Sequence, residues 1–335
     1  MPHRTHTVKG PLFIVGMPRS GTKLLRGIIT RHERISIPDA ETEFLPYWVS
    51  KWDTFGELSQ RAQFERFHAA CRSLPFFMYL EKAGTAVDAR AWYENCQGFS
   101  PSQVFEGLLR TCLDLEPGDG TIWGDKSPSY LTRIELLRSL YPDAKFVHII
   151  RDVRDYCMSM NKAWGKNVYR AAQRWSDDVA KCREAGNSTG SNYLEIRYEK
   201  LLDDPPATIR TVCEFLGVSY HADLLRIPDS IEKVGDATGT AGILRSNVRK
   251  FEDRMPVRAR LRIEAIAGQT LREAGYHCPY RRAAKRIGPI GLRVLQVIDG
   301  LNLIVVEARQ WGFVAGLRFV FRYFRISGNR QGTGV

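Results

Sequence analysis

"FIVGMPRSGTKLL", Phe13 to Leu25, is the stretch that decides the fold. The run "PLFIVG", residues 11–16, is apolar, ends in glycine and fits a buried strand. From Ser20 the pattern changes: Leu24, Leu25, Ile28 and Ile29 recur at helical spacing, which predicts a helix to about Arg31. A strand, a tight loop containing Gly16, Pro18 and Gly21, and then a helix form a setting that points backbone N–H groups and a helix dipole at an anion. The spacing almost fits the phosphate-loop pattern G-x-x-x-x-G-K-[ST], but Thr22 comes before Lys23 and Arg19 sits inside the loop. An arginine there offers a fork of donors suited to phosphate or sulfate oxygens. Arg19, Ser20, Gly21, Thr22 and Lys23 are therefore candidate ligand-binding residues.

Working outward, "AKFVHIIRD" (Ala144 to Asp152) predicts a second buried strand with a helix after it, about 156–163. "NYLEIRYEKLLDDP" predicts a third strand, Tyr193 to Arg197, then a helix over Ala207 to Leu216 that stops at Gly217. Further helices are expected at about 57–72, 101–115, 130–140, 168–185 and 256–275. Strands alternating with helices predict an α/β fold of three layers, with a mainly parallel central sheet flanked by helices. "CREAGNSTGSN" (Cys182 to Asn192) reads as a loop from its Gly, Ser and Asn content, and "GDATGTAGI" (Gly235 to Ile243) as a second, mobile one. The main domain is expected to cover 1–280, with 281–335 a basic, apolar, helical extension.

The chain has 335 residues, enough for one large α/β domain with a buried core. Its seven cysteines are scattered without a C-x-x-C pair, which argues against a zinc site or a disulfide framework. The start, "MPHRTHTVKGPLF", has no apolar core of a secretory signal, so a cytoplasmic setting is expected. The net charge of +12 is uneven: residues 281–335 hold ten Lys/Arg against Asp299 and Glu307, a net of +8. A basic excess suits anionic ligands or surfaces. The longest charge-free run of this tail is too short to span a bilayer, which leaves a helix on a membrane surface, on the core or on a second subunit.

A kinase or NTPase would place a Mg²⁺-binding acid directly after a buried strand. Here the strand "FVHII" is followed by Arg151, with Asp152 second, so the strand end is cationic. The site is read as neutralising ligand charge with arginine, without metal.

Taken together, "VGMPRSGTKLL" resembles the 5′-phosphosulfate loop of the sulfotransferases, which use 3′-phosphoadenosine 5′-phosphosulfate (PAPS) on a P-loop-like fold. "IIRDVRDYCMSM" resembles their 3′-phosphate motif, with Arg151 at a strand end and Ser159 eight residues on. "IRYEKLLDDP", containing Tyr198, resembles a further strand and acidic turn of the family. The pattern is most similar to the branch that includes the tyrosylprotein sulfotransferases. "AETEF" resembles that branch's Glu-Thr segment, which implies Glu41 as the base that deprotonates the acceptor hydroxyl, with Glu43 its alternative. "WGDKSP" resembles its Asn-Lys-Asp-Pro segment and implies Lys126 as the cation on the transferred sulfuryl group, although this chain has Asp-Lys-Ser-Pro. "LRSNVRKFEDRM" lacks the Arg-Lys-Gly motif of the cytosolic branch, yet Lys250, with Arg249 beside it, is placed to close over the donor.

The resemblance implies a PAPS-dependent sulfotransferase, a bacterial member, that releases 3′-phosphoadenosine 5′-phosphate (PAP) and needs no metal. Glu41, Lys126 and Arg19 form its expected catalytic set; Arg19 to Lys23, Arg151, Ser159, Tyr198 and Lys250 form its donor site. The expected acceptor is a hydroxyl of a carbohydrate, a lipid-linked glycan or a peptide tyrosine. No nucleic acid is expected as partner; membrane-surface contact through 285–325, at the inner membrane surface, and a homodimer stay open. The alternatives are a P-loop kinase using ATP and an inactive nucleotide-binding, membrane-associated protein.

Overall fold

Five strands, β1 (Leu12–Val15), β2 (Ile35–Ser36), β3 (Ile122–Lys126), β4 (Lys145–Ile150) and β5 (Tyr193–Arg197), form one sheet in the order β2-β3-β1-β4-β5. Every pairing is parallel. The computed structural model describes residues 10–116, 118–227, 239, 241–282 and 284–311. The helices up to β4 are α1 (Thr22–Ile29), α2 (Leu45–Lys51), α3 (Arg61–Cys71), α4 (Pro75–Lys82), α5 (Ala89–Asn95), α6 (Pro101–Leu113) and α7 (Ile134–Leu140). After β4 come α8 (Val153–Trp164) and α9 (Val168–Asn187). After β5 come α10 (Tyr198–Asp203), α11 (Pro205–Leu216), α12 (Lys250–Arg254), α13 (Val257–Glu273) and α14 (Pro289–Trp311). This is the α/β architecture expected from the sequence, a parallel sheet flanked by helices.

The chain divides into two compact units. The first holds the whole sheet and, of the described residues, 10–116, 118–150, 181–227 and 241–243. β1 and β4 read as continuous apolar runs because a central parallel strand is buried on both faces: Leu12, Phe13, Ile14 and Val15 are all inaccessible to solvent. β1 lies in the middle. The chain builds β2 and β3 on one side of it and β4 and β5 on the other, so the strand order reverses at the carboxyl end of β1, the usual place for a ligand in an open parallel sheet. Beside β3 an aromatic cluster joins α2 to α6: the Phe44 ring lies tilted against Trp48 at 4.4 Å, and Trp48 meets Phe67 at 5.0 Å and stacks on Trp92 at 5.8 Å. Each buried ring of this kind contributes about 1.5–3 kcal/mol, which holds the segment before α2 firmly against the sheet.

The second unit holds, of the described residues, 151–180, 239, 244–282 and 284–311. Its centre is Arg154, which donates to Asp152 at 2.6 Å, to Glu264 at 2.9 Å and to the His277 carbonyl at 3.0 Å, and lies 3.9 Å over the Phe251 ring. A guanidinium with that many partners can be buried, because each lost water contact is replaced. α14 is anchored here by Asp299, which pairs with Arg170 at 2.6 Å and accepts from the Asn167 backbone N–H at 2.6 Å.

One expectation is corrected. Cys182 to Asn187 is not loop: α9 continues through Asn187 before a short 3₁₀ turn at Gly190–Asn192. Tertiary packing overrides the weak local propensity, since Cys182 and Ala185 are buried. The Tyr193 ring also lies where a side chain on Gly186 would stand. Most of the second expected loop, 235–243, lies outside the described residues, as does the extension beyond Trp311.

Candidate active site

The loop after β1 has the features of an anion cradle. Arg19 has φ 68° and Gly21 φ 95°, two left-handed residues in three positions. A non-glycine residue in that region costs about 1–2 kcal/mol and is held there by its surroundings, which is common at ligand clamps. Among the described residues no side chain caps α1, which leaves its first-turn N–H groups to an external acceptor. Ser20 Oγ is fully buried and has no hydrogen-bond partner among the described residues. A buried hydroxyl in that state is costly unless a ligand satisfies it. The loop therefore fits an anionic ligand on its own geometry.

Tyr198, the first residue of α10, sets the shape of the loop. A Cβ on Gly21 would stand 2.3 Å from the Tyr198 ring. Tyr198 is buried, and its ring packs against Gly21. Gly16 is equally constrained: a Cβ there would meet the Ile149 carbonyl at 2.5 Å.

β3 brings in Lys126. It is paired in register with Ile14, so it emerges at the sheet's carboxyl edge two residues before Gly16. Lys126 is fully buried and its Nζ donates to Glu41, whose side chain is 31% exposed. Burial pushes the Lys126 ammonium below its usual range, Glu41 pulls it back up, and the Lys23 charge lowers it further. Glu41, Lys126 and Lys23 thus belong to one electrostatic neighbourhood beside the loop.

The Glu41 segment is held by the residues that follow it. Thr42 Oγ1 lies 2.7 Å from the Tyr130 hydroxyl, and the Leu45 N–H donates to the same hydroxyl at 3.2 Å. Phe44 is locked in the aromatic cluster. Glu43 adopts φ 54° and donates its N–H to Ser127 Oγ at 3.3 Å. Of the two candidate bases, Glu41 pairs with Lys126.

Beside Lys126 in the chain is Asp125, fully buried, with neither carboxylate oxygen in hydrogen-bonding geometry to a described residue. Burial pushes its pKa up to about 6, although the Ser127 and Thr42 hydroxyls and Lys126 all favour the charged form. Nothing in the sequence pattern singled Asp125 out.

The second unit holds the other expected donor residues. Arg151 directly follows β4 and is buried; its backbone carbonyl accepts from Trp175 Nε1 at 3.1 Å. Arg151 Nη2 donates to the Asn247 carbonyl at 3.0 Å, and Lys250 Nζ donates to Asn247 Oδ1 at 2.6 Å. Asn247 therefore ties Arg151 to Lys250. Lys250 is fixed from the other side as well, because the Phe251 N–H donates to Asp155 at 2.9 Å and Arg154 covers the Phe251 ring. Ser159 lies on α8, the helix that follows Arg151, and is half-buried. Asn247 was not anticipated, since its contact to Arg151 is through the main chain and nothing local marks its side-chain contact to Lys250.

His148 is a core residue, as its place in an apolar strand predicts. Its Nδ1 is 2.6 Å from the Tyr193 hydroxyl, and burial lowers its pKa to about 3 and keeps it neutral. Among the described residues, no group of three or more His, Cys, Asp or Glu side chains is arranged to hold a metal ion.

Comparison with known proteins gives the family and the fold. A sequence profile of the Sulfotransferase family matches residues 11–222, and the chain belongs to that family. It is 28% identical over 230 residues to nodulation protein NoeE of Sinorhizobium fredii, covering 61% of this chain and 49% of that one. It is 23% identical over 259 residues to protein-tyrosine sulfotransferase 2 of Gallus gallus, covering 73% and 59%. The chain thus spans about half to three-fifths of the length of these two relatives. In fold it is similar to the sulfotransferase domain of the olefin synthase of Synechococcus PCC 7002, with a TM-score of 0.50 and 21% identity over 76% of this chain and 92% of that one.

Proposed function

We propose that this sulfotransferase-family enzyme moves the sulfuryl group of PAPS to an acceptor hydroxyl and releases PAP. The observation that carries the reading is the Lys126–Glu41 pair at the sheet edge beside an uncapped, arginine-bearing loop. In this reading the loop N–H groups, Ser20 and Arg19 hold the 5′-phosphosulfate. Arg151 and Ser159 take the 3′-phosphate, and Lys250 closes over the donor.

In the free enzyme Lys126 and Glu41 neutralise each other. The sulfuryl oxygens of the donor give Lys126 a second anionic partner, which frees Glu41 to accept a proton. The acceptor oxygen then bonds to sulfur as its proton passes to Glu41, and the bond from sulfur to the bridging phosphate oxygen breaks. Arg19, Lys126 and the loop N–H groups stabilise the charge that develops on the bridging and sulfuryl oxygens. The family profile and the cationic end of β4 favour this chemistry over an ATP kinase.

The acceptor is a hydroxyl of a carbohydrate, a lipid-linked glycan or a peptide tyrosine; the name of the Gallus relative favours tyrosine. The test is a mass-read screen of labelled PAPS, with and without chelator, against cell-envelope glycans, lipids and tyrosine peptides. Transfer to one class is expected without added Mg²⁺. PAP binding no tighter than AMP would remove the 3′-phosphate assignment.

A further inference from the structure

α14 has an anchored inner face and, opposite it, an exposed apolar one. Its inner face is fixed by the Asp299 contacts to Arg170 and Asn167, by Asn302 Nδ2 donating to the Gly165 carbonyl at 2.8 Å, and by buried Leu303. These anchors set the rotation of the helix and hence which residues face out. Ile290, Val294, Val297, Ile298, Leu301 and Val305 face out, all exposed, with Ile290 at 81% and Leu301 at 58%. Their spacing is that of one continuous helical stripe. A solvent-facing helix side normally carries charge, and a helix apolar all round is normally covered. Isoleucine and valine are also middling helix formers, so nothing intrinsic favours them on an open face.

The surrounding charge identifies what covers it. Arg281, Arg282, Lys285 and Arg286 lead into the helix and are exposed, and Arg293 stands exposed at the rim of the stripe. From residue 281 onward, ten basic residues face two acids, and one of those, Asp299, is buried under Arg170. Two copies meeting through this face would stack like charge on like charge. An anionic surface complements it, and no helix among the described residues is long and apolar enough to cross a membrane. We propose that the outer face of α14 lies on an anionic lipid surface, with the stripe in the acyl boundary and the flanking arginines and lysines at the headgroups.

The test is flotation of the full chain with vesicles of phosphatidylcholine alone or with 30% phosphatidylglycerol. At least tenfold stronger binding to the anionic vesicles is expected. The triple variant V294S, V297S, L301S is expected to lose at least tenfold of that binding while keeping its helical circular dichroism and its PAP affinity, which reports a folded protein. A wild-type chain that stays unbound would overturn the proposal. So would a triple variant that floats equally well, since charge alone would then account for binding. Sedimentation showing a wild-type dimer that the triple variant dissolves, with no vesicle binding, would assign the face to a second copy instead.

Discussion

Lys126 and Glu41, 85 residues apart in the chain, form an ion pair in which the cation is fully buried and the carboxylate is partly open to solvent. The asymmetry gives them different fates on substitution. Glu41→Gln removes the proposed proton acceptor and leaves Lys126 without its anion. Turnover should fall at least a hundredfold while PAP affinity is kept, and stability should drop by about 1–3 kcal/mol in urea unfolding. Wild-type turnover in this variant would move the base elsewhere.

Asp125 makes stability depend on pH in a stated direction. Its folded pKa of about 6 lies above the unfolded value, so between about pH 4 and 6 the native state binds more protons than the unfolded one. Stability contributed by the neutral acid is therefore lost as pH rises through that window. Asp125→Asn should match wild type near pH 4 and exceed it above pH 6, by up to about 3 kcal/mol for a shift of about two units. Denaturant titrations at pH 4, 5.5 and 7.5 check this; a gap that stays constant with pH would show that the carboxyl does not titrate there.

Asn247 links Arg151 and Lys250, so the three should behave as a unit. Lys250→Ala and Asn247→Ala are each expected to weaken PAP about tenfold, the scale of one hydrogen bond to a charged group. The double variant should be little worse than either single one, because the same bond is lost. Calorimetry with PAP reads the cycle, and full additivity would mean that Asn247 does not act through Lys250.

Gly21→Ala should harm the loop in two ways, through its φ of 95° and through the Tyr198 ring. The backbone part alone costs about 1–2 kcal/mol. Thermal unfolding and PAP binding should both suffer, and adding Tyr198→Ala should restore only the steric share.

β1 and β4 were legible because they are apolar runs bounded by turn residues, the loop because of its glycines and proline, and β5 because apolar and polar residues alternate along it. β3 was not, although it carries Lys126. Its sequence "IWGDK" breaks the apolar pattern with Gly124, Asp125 and Lys126, all buried. The glycine is forced by packing, since a Cβ there would meet the Leu12 carbonyl at 2.1 Å. The two ionisable groups are buried at the carboxyl edge of the sheet, beside the loop. Periodicity fails where local rules give way to a site. The pairing of Glu41 with Lys126 was reachable only through resemblance, because nothing local connects residues so far apart. α2, α4 and α5 escaped notice since they are short and stabilised by aromatic packing more than by helix propensity. The left-handed turn at Arg19 could not be read at all from a residue type that rarely adopts it.

The Tyr198 ring against Gly21 has an evolutionary consequence. The ring that packs against the loop comes from a residue far downstream, so neither position can change alone. Across descendants of a common ancestor, a side chain at position 21 should appear only together with a small residue at 198. Lineages that keep a bulky aromatic ring at 198 should keep glycine at 21 whatever acceptor they come to serve.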